Sequence, residues 1–147
     1  MKSLTLGLTL SFLLFFTAAN VYSHCEIPCG IYDDPLRISL LREDIATMEK
    51  SMKTILTLEK SVDQHANQLV RWVNNKEDHA DKFQHIVAQY FMTQRINVGD
   101  ANYAKKIQAL QQMLVYAMKC KQTTDIAHIE TLKSLVDEFE KLYFAKK

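Results

Sequence analysis

The sequence predicts an all-α protein: an antiparallel four-helix bundle carrying a short N-terminal hook. Three observations lead there. A chain of 147 residues with 48% apolar content is the size of one domain and can bury a core. Only three Gly and two Pro occur, too little punctuation for a sandwich or barrel built on many tight turns. From Pro35 to the C-terminus, apolar residues recur at steps of three and four, the period of one helix face.

The first helix opens at "DDP". Asp33 or Asp34 can cap it, and Pro35 suits the first helical position, where a missing N–H costs nothing. Its stripe is Leu41, Ile45, Met48, Met52 and Ile55. A break is expected near Glu59 to Asp63. A second helix then runs from about Asp63 to Gln94, with Leu69, Trp72, Val73, Phe83, Ile86, Val87 and Tyr90 facing inward. "NVGDANY" ends it, and Asp100 is the expected cap of a third helix carrying Tyr103, Ile107, Leu110, Leu114 and Ala117. After "KCKQTTD", Thr123 or Thr124 is the expected cap of a fourth, with Ile129, Leu132, Val136, Phe139 and Tyr143. Four amphipathic helices with short connections hide four stripes most simply as an antiparallel bundle over residues 35–147.

Residues 1–23, "MKSLTLGLTLSFLLFFTAANVYS", have a charged start at Lys2, an apolar run to about Phe16 and small residues near Ser23. That is the three-part pattern of a secretory signal peptide, and the run is shorter than the ~20 residues that span a bilayer. A cut between Ser23 and His24 is expected, giving an exported protein, periplasmic or secreted, with no membrane association afterwards. The formal net charge is +1, and removing residues 1–23, which hold one Lys and no acid, leaves a neutral chain. Nucleic acid and anionic membrane surfaces, which need a basic excess, are thereby disfavoured as partners.

Between these parts lies "SHCEIPCGIYDD". Residues 24–34 hold two of the three cysteines and too little apolar material to fold alone. A Cys25–Cys29 disulfide would close a very small loop and stabilise little. A metal makes better use of the same atoms. Cleavage before His24 frees an α-amine, a competent ligand near neutral pH once a cation displaces its proton. Thiolates and imidazole suit nickel, copper or zinc. Joined by the amine and a deprotonated backbone amide, the two thiolates complete a compact chelate of two nitrogens and two sulfurs that favours the square plane of nickel or copper, and the imidazole could approach on the axis. Pro28 can fix the turn, and Gly30 lets the backbone bend after the second thiolate.

"HCEIPCGIY" resembles the amino-terminal hook of the nickel superoxide dismutases, whose pattern is His-Cys-x-x-Pro-Cys-Gly-x-Tyr at the mature terminus. His24, Cys25, Pro28, Cys29, Gly30 and Tyr32 fit it. "QYF", Gln89 to Phe91, matches more loosely an aromatic pair that the family places near its site. The resemblance implies a homohexamer of four-helix bundles that disproportionates superoxide to dioxygen and hydrogen peroxide. It implies one nickel ion per subunit, held by the amine and imidazole of His24, the amide of Cys25 and the thiolates of Cys25 and Cys29, and cycling between Ni(II) and Ni(III). Tyr32 is then the catalytic side chain beside the open face of the metal, with Tyr90 near it. Glu26, Pro28 and Gly30 support the ligands; Glu26 stands where the family commonly has Asp. The alternative is an exported helical metal carrier that uses the same hook without turnover.

The other histidines, His65, His79, His85 and His128, form no tight ligand motif, and "NNKEDHADK" reads as a solvated face. Cys120 is expected to be a small buried or half-buried hydrophobe. No phosphate loop, serine-nucleophile elbow or paired glycosidase-like carboxylates are present.

Overall fold

A computed structural model describes residues 30–145. The signal segment 1–23 and the hook residues His24, Cys25, Glu26, Pro28 and Cys29 lie outside the described residues. Within them the fold is all-α, with no strand. Helix α1 spans Asp34–Leu58 and is followed by a 3-10 turn, Glu59–Ser61, at the expected break. Helix α2, Val62–His85, runs directly into a π-helical segment, Ile86–Arg95; helices α3, Tyr103–Gln122, and α4, Ala127–Phe144, complete the order.

The core follows the stripes. Leu41, Ile45, Met48, Met52 and Ile55 of α1 are buried, as are Leu110 and Ala117 of α3 and Ile129, Leu132, Val136 and Phe139 of α4. In α2 the expected inward face holds only in part. Phe83, Ile86, Val87 and Tyr90 are buried, but Leu69, Trp72 and Val73 are half-covered. The contiguous core draws on α2 only from Ala80 onward, so the apolar groups of its first half lie beyond that packing.

The helix starts separate the two acids that the sequence leaves interchangeable. Asp33 is the cap of α1, its Oδ1 accepting from the Leu36 N–H at 3.0 Å. Asp34 is therefore the first helical residue, and Pro35 falls one place further in than expected. Two other caps differ from expectation. Asp100 accepts from the Asn97 N–H at 3.1 Å inside the loop, where Gly99 has φ +96°, and Asn102 at φ 59° precedes α3 instead. Before α4, Asp125 rather than Thr123 or Thr124 accepts from the first helical N–H, that of Ala127, at 3.0 Å. A short loop satisfies its orphan donors with whichever side chain its bends bring near.

Lys76 is buried and donates from Nζ to the carbonyls of Lys121 and Thr123, at 2.6 and 3.3 Å, so a cation of α2 closes the carbonyl end of α3. On the surface Arg42 of α1 pairs with Asp137 and Glu140 of α4, both at 2.7 Å. Exposed pairs of this kind contribute little; the burial of Phe139, which packs on Phe91 with ring centroids 5.0 Å apart, contributes more. Phe139→Ala is expected to cost about 3–5 kcal/mol in urea unfolding, against less than about 1 kcal/mol for Arg42→Ala. Equal losses in the two variants would contradict this ranking.

Candidate metal centre

The site begins where the described chain begins. Gly30, directly after Cys29, has φ +82°, the left-handed region in which an L side chain is strained. The backbone therefore bends just past the second hook thiol. Ile31 and Tyr32 follow without regular structure, and Tyr32 is 38% exposed.

Tyr90, from the π-helical segment, is 4% exposed and meets Tyr32 edge to face, with centroids 5.8 Å apart. The sequence thus names two tyrosines 58 positions apart that the fold brings together. Arg95 lies over the Tyr32 ring, its Cζ 4.2 Å from the centroid. Arg37 lies 5.0 Å from the Tyr90 ring, and its buried Nε has no hydrogen-bond partner among the described residues.

Asp34 organises this group. Its Oδ1 accepts from the Tyr90 hydroxyl at 2.6 Å and from Arg95 Nε at 2.9 Å. Its Oδ2 accepts from Arg95 Nη2 at 2.7 Å and from the Tyr143 hydroxyl at 2.8 Å. The fork of Arg95 is thus bidentate on one carboxylate, a strong and orienting arrangement. The π-helix explains how Tyr90 and Arg95 both reach it. At 3.6 residues per turn, side chains five apart are offset by about 140°. Closure at i to i+5 brings such residues nearer one face. Thr93 and Gln94 also bond the carbonyls five residues before them, Ala88 at 2.7 Å and Gln89 at 2.9 Å.

Charge follows geometry. Burial alone would push the Asp34 carboxyl up, but the hydrogen bonds from Arg95, Tyr90 and Tyr143 outweigh it and hold it below its ordinary 3.8. Burial, then the bond to Asp34, raises the Tyr143 phenol to about 12 and pushes that of Tyr90 higher still. Neither phenol releases its proton near neutral pH.

Elsewhere the polar groups serve the fold. His79 shares a 2.7 Å hydrogen bond with buried Asp44, whose carboxyl burial pushes up, and Asp81 pairs with Lys121 at 2.6 Å. Cys120 is fully buried, and burial raises its thiol to about 11, so it is unreactive packing. Among the described residues no group of three or more His, Cys, Asp or Glu side chains could hold a metal, and no helix is long and apolar enough to cross a membrane. Sequence reasoning missed Arg95 and the roles of Asp34 and Tyr143; the available signal was the Asp33-Asp34 doublet, two acids where one cap suffices.

The sequence profile of one protein family, nickel-containing superoxide dismutase, matches residues 19–147, a span that takes in the hook, Tyr32 and Tyr90. The chain belongs to the nickel-containing superoxide dismutases. This nickel superoxide dismutase is accordingly an oxidoreductase that acts on superoxide, with nickel as its cofactor. No curated protein and no solved structure matches the chain.

The lowered Asp34 value fixes the sign of a pH effect. A carboxylate depressed in the folded state stabilises fully above its unfolded pKa, and that stabilisation is lost as pH falls through the folded value. Urea unfolding of wild type and Asp34→Asn should show a stability gap that is constant above about pH 5 and closes below it, on the scale of acid linkage. A gap unchanged down to pH 2 would contradict the assignment.

Proposed function

We propose that His24, Cys25 and Cys29 hold the nickel, through the amine and imidazole of His24, the amide of Cys25 and the two thiolates, one ion per chain. The donor set fits: soft thiolates with amine and amide nitrogens favour the square-planar preference of nickel. When bound, the metal supplies one-electron chemistry, the anionic sulfur and amide donors bringing Ni(III) within reach so that one superoxide is oxidised and the next reduced.

The chain's own residues do the rest. Pro28 and Gly30 shape the turn, and Glu26 supplies hydrogen bonding around the ligands. Tyr32 stands three residues after Cys29, where it would order superoxide or water beside a bound metal and limit access. The observation that carries this reading is the Tyr32 ring, partly exposed at the exit of the hook and set against Tyr90 at 5.8 Å. Tyr90 acts there through its ring, because its hydroxyl hydrogen is committed to Asp34.

The body, in this reading, is an antiparallel four-helix bundle that assembles as a homohexamer. Residues 1–23 form a signal peptide, and export and activation are one cut, because only removal of Ser23 frees the His24 amine. The exported protein is expected to start at His24 on terminal sequencing, to contain stoichiometric nickel and to remove superoxide. Cys25→Ser and Cys29→Ser should each abolish activity while the helical circular dichroism stays at the wild-type level, since the hook adds almost nothing to the core. Zinc in place of nickel, activity in a protein starting at another residue, or collapse of the helices in either variant would contradict the proposal.

A further inference from the structure

We propose that Asp34 is a positioning residue for the superoxide reaction: its carboxylate, by gripping Arg95 and Tyr90 together, fixes the two groups that contact the Tyr32 ring. The inference deepens the reading that Tyr32 faces the nickel hook, and rests on it.

Four observations converge. First, capping does not require the Asp34 side chain, because Asp33 already receives the Leu36 N–H. The Asp34 carboxylate is therefore committed elsewhere: among the described residues its four hydrogen bonds reach partners 56 to 109 positions away. Second, the guanidinium that it holds is the one stacked on Tyr32 at 4.2 Å. A guanidinium on a long side chain rotates freely unless both edges of its fork are engaged, and Asp34 engages them at 2.9 and 2.7 Å. Third, the phenol that it holds carries the ring that meets Tyr32 edge to face. That phenol is buried, so losing its acceptor would leave a polar group unsatisfied and the ring free to shift. Fourth, Tyr143 of α4 joins the same carboxylate, so the end of the helical body is tied to the start of α1, two residues after Tyr32.

The part given to Asp34 is an indirect one. It acts through Arg95 and Tyr90, which set where the Tyr32 hydroxyl stands relative to the hook. A reactive group displaced by about 1 Å can lose up to about a hundredfold in rate, so a loosened Tyr32 is expensive even when the metal is bound normally.

The test uses the matured full chain labelled with 3-fluorotyrosine, with the Tyr32 resonance assigned through Tyr32→Phe. Fluorine NMR is recorded on metal-free and nickel-loaded protein for wild type, Asp34→Asn, Tyr143→Phe and the remote control Arg42→Ala, alongside nickel content and superoxide kinetics. In Asp34→Asn the Tyr32 signal should move towards the position and width of a freely rotating exposed tyrosine, in both metal states. Nickel content should stay at wild type while kcat/KM falls roughly tenfold or more. Tyr143→Phe should move the signal the same way by less, and Arg42→Ala should leave it in place. A Tyr32 signal unchanged in Asp34→Asn overturns the proposal, whatever happens to stability. If that variant fails to fold, an unchanged signal in Tyr143→Phe overturns it. Absence of superoxide activity in wild type would instead overturn the function read from the hook, while the metal-free spectra would still report whether Asp34 holds Tyr32.

Discussion

One partly buried carboxylate ties the start of α1 to the rest of the helical body. Asp34 accepts four hydrogen bonds from three residues, and those residues belong to the π-helical segment and the last helix. Remove it, and a guanidinium and two phenols lose a shared acceptor in a place where water cannot fully replace it. Its burial opposes ionisation, yet the donors outweigh that cost, so the group stays charged and the cluster stays closed. The start of α1 is thus pinned from outside its own sequence neighbourhood.

This pinning matters because the hook has so little of its own to hold it. Residues 24–32 are only nine, too short a segment to build a core of their own, so they depend on what they can lean on. The helical body offers a rigid support: Tyr90 packs on Phe91 at 5.0 Å, and Phe91 in turn packs on Phe139 and Tyr143 at 5.0 and 5.5 Å. The aromatic contacts run from the exit of the hook into the centre of the core. Cys120, fully buried and inert, belongs to the packing.

Much of this was legible in the sequence, and the exceptions have physical reasons. The stripe from Leu41 to Ile55 could be read because helical period and burial coincide along α1. The family could be read because the motif from His24 to Tyr32 is compact and chemically unusual, and the meeting of Tyr32 with Tyr90 because that motif and an aromatic pair marked them. Arg95 could not. It reaches Asp34 alongside Tyr90 through a π-helical closure, and Ile86–Arg95 has a composition that an ordinary helix would tolerate equally well. Tyr143 read as core because it sits on the α4 stripe, and nothing local reveals that its hydroxyl meets an acid 109 positions earlier. The half-covered Leu69, Trp72 and Val73 show the converse limit: period marks a face but not how far the neighbouring helices extend along it.

The helical body, rather than a bound metal, fixes the start of α1 beside Tyr32. Amide hydrogen exchange at Leu36 and Arg37 tests it most directly, because both N–H groups are bonded to Asp33, at 3.0 and 3.1 Å, beside the Asp34 cluster. The account predicts the same protection in metal-free and nickel-loaded protein. Protection that appears only once nickel is bound would contradict it.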